Sequence, residues 1–231
     1  NAGAFDLEAA CTGLVYGIVT GSNFIATGQY KNVLVIGSEA LSKIVDWEDR
    51  NTCVLFGDGA AAVVLGEVEK GYGLQSFHLS SRGSGGEFLE QPGGGSKNPA
   101  SHETVDKKMH FLKMKGQDVF KFAITAIPET IEKTIDKSEI DIDKVGLIVP
   151  HQANYRIIGS AAKKCKVSED KFYMNLDRYG NTSSASIGIA LDEALKFGQV
   201  NKGDYIILVG FGAGLTYGSC LIKWTKEVKT T

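Results

Sequence analysis

The sequence predicts an α/β fold made from a duplicated unit, with two sheets stacked around a shared layer of helices. Apolar runs of strand length alternate with helical patterns, which is typical of sheets covered by helices on both faces. The 28 glycines are concentrated at a few places, where turns or close backbone approaches are expected. Blocks 5–65 and 173–222 share one order of strand, turn, helix, strand, Gly-rich turn and strand, which indicates an internal repeat.

The first block begins with an apolar run at 4–9, which predicts a strand. Apolar residues at helical spacing follow Cys11 and predict a helix, so Cys11 is expected at the turn between strand and helix. The fully apolar run 33–37 predicts another strand. Residues 53–56 and 60–65 flank a Gly-Asp-Gly turn and predict a hairpin.

The stretch from 80 to 108 is rich in Gly, Ser, Pro and Asn and predicts a long irregular excursion. Amphipathic spacing from Val119 to Ile135 then predicts a helix, with Pro128 as a point of kinking. The remaining predicted elements are strands at 145–149, 172–176, 205–209 and 216–222 and helices at 157–165 and 183–197.

The repeat divides the chain into two predicted halves, 1–106 and 107–231. The second half has about 70 residues before its turn at Asn181, whereas the first has ten before Cys11. We therefore expect the N-terminal part of the first repeat to be missing from this chain. An N-terminal complement, on the same polypeptide or as a second chain, would then cover apolar sheet surface that otherwise invites aggregation.

Composition narrows the classes of partner and compartment. The net charge of −2 and the pI near 6.1 give no basic excess, so nucleic acid is not an expected partner. The four cysteines include no C-x-x-C pair, which favours free thiols and a cytoplasmic location. There is neither a membrane-length apolar stretch nor a signal-peptide pattern in the sequence, so no membrane association is expected.

Five motifs carry a resemblance to a known family. They are Glu8-Ala9-Ala10-Cys11-Thr12-Gly13, Phe56-Gly57-Asp58-Gly59-Ala60, Pro150-His151-Gln152-Ala153-Asn154, Gly180-Asn181-Thr182-Ser183-Ser184-Ala185-Ser186 and Gly210-Phe211-Gly212-Ala213-Gly214. In this order they resemble the thiolase-like condensing enzymes and, within them, the β-ketoacyl-acyl-carrier-protein synthase III family. The resemblance runs from Phe5 to Trp224 and implies the thiolase-like duplicated α-β-α-β-α layered fold.

Three of these motifs place reactive or polar side chains at turns. Cys11 lies at a predicted helix N-terminus, where free N–H groups and the helix dipole favour a thiolate. His151 follows a strand at its carboxyl end, where α/β sheets place their sites. Asn181 occupies the turn equivalent to that of Cys11, so the two are expected to meet. The alternatives are a buried structural Cys11 and an Asn181 that only caps a helix.

The resemblance implies a two-stage reaction that starts fatty acid synthesis. An acyl-CoA first transfers its acyl group to Cys11, and malonyl-acyl-carrier protein then loses carbon dioxide and attacks the thioester. His151 and Asn181 would donate hydrogen bonds to the developing enolate, and the backbone N–H groups of Cys11 and Ala213 would hold the acyl thioester oxygen. Neither a metal nor a cofactor is expected.

The resemblance also implies substrate-binding and docking residues. Those for CoA and substrate are Arg50, Gly116, Gln117 and Phe211, where Gln117 departs from the usual Asn and Phe211 is either a gate or a core aromatic. Those for docking acidic acyl-carrier protein are Lys121, Arg156, Lys163 and Lys164. A homodimer is implied as well.

Other functions remain open at this point. Asn181 disfavours a thiolase, a hydroxymethylglutaryl-CoA synthase and a long-chain synthase, but a polyketide-type ketosynthase shares the same triad. A Cys-His-Asn hydrolase of the papain type has the same residue order, although its local cysteine signature is absent. A non-catalytic binding protein of the thiolase fold is the third alternative.

Overall fold

The computed structural model describes residues 1–227, and their strands form three sheets. Strands β1 (Asn32–Glu39) and β2 (Gly59–Gly66) make an antiparallel pair. The larger sheet contains β3 (Gly73–Ser81), β6 (Val145–Pro150), β7 (Tyr205–Gly212) and β8 (Thr216–Lys223), in the order β3-β8-β7-β6. In that sheet β6 and β7 are parallel and the other pairs antiparallel. Two short strands, β4 (Leu89–Glu90) and β5 (Lys113–Met114), form the third sheet.

The helices fall between and outside these sheets. Their bounds are α1 Gly13–Ala26, α2 His102–Asp106, α3 Gly116–Asp136, α4 Tyr155–Cys165, α5 Leu176–Tyr179 and α6 Ala185–Lys196. Helices α1 and α6 contact both the β1–β2 pair and the four-stranded sheet, whereas α3 contacts the opposite side of the larger sheet and packs on α4. The layers confirm the predicted arrangement of two sheets around a shared helical layer. None of the helices in residues 1–227 is both long and apolar enough to span a membrane.

Burial follows from this layering. Strand β7 is buried from Ile206 to Gly212 because helices cover both faces of its sheet. In β2 half-buried and exposed residues alternate, since only one face of the pair meets α1 and α6. The other face is apolar and exposed: Leu34, Ile36 and Val64 are 59%, 60% and 70% exposed, and Leu34 pairs with Val64. We call Leu34, Ile36, Ala62 and Val64 the open β1–β2 face.

Two predicted strands of the first block are wrong. Residues 1–9 form no strand in the described structure, because no described strand pairs with them. The predicted hairpin is absent as well: β2 pairs with β1, while Phe56 makes an isolated parallel bridge to Asn181. Apolar runs indicate strand character, but the pairing partner is set by tertiary contacts.

The second block is predicted more closely, with one exception. Residues 172–176 are not a strand, since Phe172 makes only a single bridge to Ile148 and α5 begins at Leu176. The excursion at 80–108 contains regular pieces, including the end of β3, a 3-10 segment Gly83–Phe88 and α2, which Ser101 caps with a capping box. Strand β3 was not predicted. It lies in the predicted first half of the chain, but it pairs with β8 in the four-stranded sheet, whose other strands come from the second half. The division at 106/107 as a domain boundary stays a prediction.

Pro128, the predicted point of kinking, lies inside one continuous helix, α3. It has no N–H to give to the Ile124 carbonyl one turn earlier. Instead, Lys164 on α4 donates from Nζ to Ile124 O at 2.8 Å. The proline therefore exposes a carbonyl that ties the two outer helices together.

Candidate active site

Cys11 lies in a 3-10 turn, Ala10–Thr12, that runs directly into α1. Ala10 takes a left-handed backbone conformation with φ 46°, which is uncommon for a residue with a side chain. The turn rests on the end of β7, where a Cβ on Gly212 would lie 2.8 Å from Cys11 Cβ and 3.1 Å from Sγ. Glycine at this position is therefore what allows the cysteine to lie against the strand, as the Gly-rich motif predicted.

Burial favours the neutral form of the Cys11 thiol, which runs against the expectation of a thiolate. Burial raises its pKa to about 11, and the charge of Glu39 also raises it. A hydrogen bond from the Ser183 hydroxyl lowers the pKa by less than burial raises it. The helix dipole contributes up to about 2 kcal/mol in a partly buried position, and the loss of water around a side chain only 5% exposed opposes it.

His151 is held at the end of β6 beside the same strand. Its backbone N–H donates to Val209 O at 2.8 Å, and its ring lies 5.3 Å from the ring of Phe211, measured between centroids. Burial lowers the pKa of His151 to about 3, and a hydrogen bond to the backbone of Ser183 raises it by less. The site therefore contains a neutral imidazole next to a neutral thiol.

A buried serine fixes the ring of His151. The Nδ1 atom lies 2.7 Å from Ser186 Oγ, and that hydroxyl donates its one hydrogen to Ser183 O at 2.8 Å. Ser186 Oγ then accepts from His151 Nδ1–H and from the Gln152 N–H at 3.3 Å. This network places the imidazole hydrogen on Nδ1 and leaves Nε2 as an acceptor.

Asn181 is anchored through its backbone. Its N–H donates to Leu55 O at 3.0 Å, and its carbonyl accepts from Gly57 N–H at 2.8 Å. The side-chain Oδ1 accepts from the Ser183 N–H at 2.9 Å, so the Nδ2 hydrogens are the donors that this side chain has to offer. Only 8% of the residue is exposed.

Ser183 connects the three predicted residues. Its N–H donates to Asn181 Oδ1, and its carbonyl accepts from the Ser186 hydroxyl that also contacts the His151 ring. Its hydroxyl lowers the pKa of Cys11 through a hydrogen bond. Like Ala10, it has a left-handed backbone, with φ 48°. The sequence analysis missed Ser183 as a site residue, because a serine inside a motif carries no signal of what it will touch in space.

Two carboxylates hold the Asn181 turn in place. At the end of β1, Glu39 Oε1 accepts from Ser184 N–H at 3.2 Å and from its hydroxyl at 2.5 Å. On α6, buried Glu193 accepts from Tyr173 at 2.6 Å and from Tyr179 at 3.1 Å, and it forms an ion pair with Arg178. Arg178 and Tyr179 belong to α5, just before Gly180, so the turn is fixed from both sides.

Most of the other predicted residues lie at the surface, whereas Phe211 does not. Arg50, Gly116 and Gln117 are exposed, with Gly116 beginning α3, while Phe211 is buried in the core and Ala213 opens the 3-10 turn after β7. The docking residues are exposed on α3, which carries Lys121, and on α4, which carries Arg156, Lys163 and Lys164. Because these two helices pack together, the structure brings the basic residues onto neighbouring surfaces.

Within residues 1–227, no group of three or more His, Cys, Asp or Glu side chains is arranged to bind a metal ion.

Two sheets around a shared helical layer, with a cysteine turn and an asparagine turn meeting inside it, define a condensing enzyme of the thiolase-like fold. A model of the 3-oxoacyl-[acyl-carrier-protein] synthase III family matches residues 5–83, and a model of its C-terminal part matches 135–224. The chain therefore belongs to the 3-oxoacyl-[acyl-carrier-protein] synthase III family, and it is an acyl-transferring condensing enzyme.

Individual relatives agree with this assignment. The chain is 58% identical to β-ketoacyl-[acyl-carrier-protein] synthase III of Natranaerobius thermophilus, over 96% of this chain and 68% of that protein. The crystal structure of β-ketoacyl-[acyl carrier protein] synthase III from Thermus thermophilus matches with a TM-score of 0.87 and 40% identity, over 95% of this chain and 67% of that one. The priming β-ketosynthase of the R1128 polyketide pathway also matches, with a TM-score of 0.87 and 30% identity over 99% and 67%.

These matches decide between the alternatives that the sequence left open. A papain-type hydrolase is excluded by the family and by the layered fold. The fold itself does not separate fatty acid from polyketide synthases, since both match with the same TM-score. The curated relatives at 55% and 58% identity are synthase III enzymes, which supports the fatty acid synthases.

Proposed function

We propose that this chain catalyses the decarboxylative Claisen condensation of an acyl-CoA primer with malonyl-acyl-carrier protein, the step that starts fatty acid synthesis. Membership of the synthase III family supports the reaction class. The observation that carries the assignment of residues is the position of Ser183. It bonds to Asn181, is linked through Ser186 to the ring of His151 and lowers the pKa of Cys11, so a nucleophile and two polar side chains share one buried site.

The first stage transfers the acyl group to Cys11. As Sγ attacks the thioester carbon, the thiol must lose its proton, because the neutral form dominates at pH 7. The bare Nε2 of neutral His151 accepts that proton and passes it to the sulfur of CoA as the bond from carbon to that sulfur breaks. The backbone N–H groups of Cys11 and Ala213 hold the carbonyl oxygen while it carries negative charge.

The second stage forms the new carbon–carbon bond. Malonyl-acyl-carrier protein releases carbon dioxide, and the enolate left behind attacks the acyl carbon. The bond from that carbon to Sγ breaks, and Cys11 leaves as a thiolate that takes a proton from water. Asn181 Nδ2 donates to the enolate oxygen. His151 supplies the second hydrogen bond when its hydrogen is on Nε2, a tautomer that the Ser186 hydroxyl accommodates by turning to donate to Nδ1.

Substrate delivery follows from charge and exposure. The exposed Lys121, Arg156, Lys163 and Lys164 on α3 and α4 form a basic surface suited to an acidic carrier protein. Arg50, Gly116 and Gln117 are proposed to bind CoA and its pantetheine arm, with Phe211 beside His151 at the inner end.

Assembly and compartment are part of the same proposal. The open β1–β2 face supports further polypeptide packing there in the working enzyme, because an apolar sheet face of this kind is rarely left in water. We also propose a homodimer, as the resemblance implies. The free thiols of all four cysteines support a location in the reducing cytoplasm.

Intact mass measurement after incubation with acetyl-CoA tests the function. We expect one acetyl group, mapped by peptide analysis to Cys11. The other cysteines are controls, since Cys53, Cys165 and Cys220 lie away from the turn on β7. Acylation at any of these three, or none at all in the purified enzyme, contradicts the proposal.

A further inference from the structure

Thr216 is the first residue of β8 and directly follows the turn Ala213–Leu215. Its hydroxyl oxygen lies 2.8 Å from Ala9 O and 3.1 Å from Ala213 O. It also lies 3.3 Å from the Thr12 hydroxyl, which donates in turn to Thr216 O at 3.3 Å. One side chain thus contacts both ends of the Cys11 turn and the Gly-rich turn.

These contacts join segments that are remote in the chain, since Ala9 and Thr216 are separated by 207 positions. The Ala9 carbonyl immediately precedes the turn that carries the Cys11 N–H, and the Ala213 carbonyl belongs to the residue whose N–H is the second proposed oxyanion donor. Two N–H groups stabilise a developing charge only when both point at the same oxygen. Their spacing therefore has to be fixed by something that touches both segments.

We infer that Thr216 is a positioning residue for acyl transfer, whose hydroxyl sets the spacing between the Cys11 and Ala213 N–H groups. The inference rests on the proposed function, in which Cys11 accepts the acyl group. Thr216 makes none of the contacts that hold Asn181 or His151, so its loss should affect acyl transfer and spare malonyl decarboxylation. A purely structural role would lower both half-reactions together.

The test compares Thr216→Val, which keeps the branched shape and removes the hydroxyl, with Thr216→Ser, which keeps the hydroxyl. Thr134→Val is the matched control, because its buried hydroxyl bonds Ser219 between α3 and β8, away from the Cys11 turn. Acetyl transfer to Cys11 and carbon dioxide release from malonyl-carrier protein are measured separately in the purified enzyme. Thr216→Ala is the second hydroxyl-free variant if the valine variant does not fold.

We expect Thr216→Val to lower kcat for acetyl transfer about 10-fold, with KM for acetyl-CoA and the decarboxylation rate changed by less than about twofold. Thr216→Ser should restore acetyl transfer to within about threefold. Thr134→Val should lower Tm without changing the ratio of the two rates. Equal loss of both half-reactions, unchanged acetyl transfer, or no rescue by serine overturns the inference. Absence of acylation in the unaltered enzyme instead overturns the proposed function, and the inference with it.

Discussion

Gly13, the first residue of α1, faces Ser184 at the start of α6 so closely that a Cβ on Gly13 would lie 3.3 Å from Ser184 Cβ. The contact joins the two turns that the internal repeat predicted to be equivalent. Gly37 approaches the same residue from β1, where a Cβ would lie 3.0 Å from the Ser184 carbonyl. The nucleophile turn and the asparagine turn are thus packed directly on each other, and small residues make that approach sterically feasible.

Gly212→Ala should abolish acylation of Cys11 while the protein still folds. The added methyl would lie 2.8 Å from Cys11 Cβ and 3.1 Å from its sulfur, so the turn must shift away from β7. Gly83→Ala is the control, since a Cβ there meets no atom within 4 Å. Intact mass after acetyl-CoA treatment and circular dichroism give the readouts. Normal acylation of Gly212→Ala would show that this contact does not position the nucleophile.

Asn181→Ala should separate the half-reactions. Its Nδ2 is assigned to the enolate, so malonyl decarboxylation should fall about 100-fold while acetyl transfer to Cys11 continues. Asn201→Ala in the exposed loop before β7 serves as the control and should change neither rate. If acetyl transfer falls as far as decarboxylation, the assigned division of roles is wrong.

Stability should be greatest between about pH 6.5 and pH 9. Below pH 6.5 the histidine of the unfolded chain becomes protonated, whereas buried His151 stays neutral because its pKa is about 3. The unfolded state then binds more protons than the folded state, so stability decreases as the pH is lowered. Above 9 an unfolded cysteine loses a proton that Cys11 keeps until about pH 11, so stability falls as pH rises. Each fully shifted group changes the free energy of unfolding by about 1.4 kcal/mol per pH unit within its window.

Urea unfolding across this pH range checks the prediction. His151→Gln should flatten the acid side of the profile, because the variant has no group at this position that titrates between pH 3 and 6.5. Cys11→Ser should reduce the slope on the alkaline side and leave part of it, since burial also raises the pKa of Cys220, to about 12. An acid limb of the same steepness in His151→Gln would contradict a neutral buried imidazole.

Lys164→Ala should destabilise the protein more than Lys163→Ala. Only Lys164 donates to the Ile124 carbonyl that Pro128 leaves without its helical partner, and losing that bond should cost about 1 kcal/mol. Lys163→Ala should stay within about 0.5 kcal/mol. Both variants remove one positive charge, so KM for malonyl-carrier protein should rise in both. Equal unfolding midpoints in urea would show that the bond to Ile124 contributes nothing.

The open β1–β2 face should make the isolated chain aggregate. The double variant Ile36→Thr, Val64→Thr keeps β-branched side chains, which suit a strand, and removes exposed apolar surface. It should shift the chain toward monomer in size-exclusion chromatography. Phe197→Ser, a lone exposed aromatic after α6, is the control and should have no such effect. A soluble, active 24.8 kDa species with no partner would contradict the proposal that further polypeptide packs on this face.

Local patterns in the sequence were sufficient to predict many of the helices and strands of this protein and the position of His151. Helical spacing located α3, α4 and α6, and apolar runs located β6, β7 and β8, because these elements are long or fully buried and their periodicity shows in neighbouring residues. The repeat predicted the shared helical layer and the meeting of the Cys11 and Asn181 turns. Motifs placed His151 at the end of its strand, since the residue type and its neighbours are both local features.

Tertiary structure alone decided which strands pair and what state the reactive groups take. The β1–β2 pairing, the entry of β3 into the larger sheet and the single bridge from Phe56 to Asn181 all join residues far apart in the chain. The links from Ser183 to Cys11 and, through Ser186, to His151 arise only when both turns are packed together. The helix N-terminus favoured a thiolate, but the neutral thiol of Cys11 follows from burial, which depends on everything packed around a residue and on no local pattern.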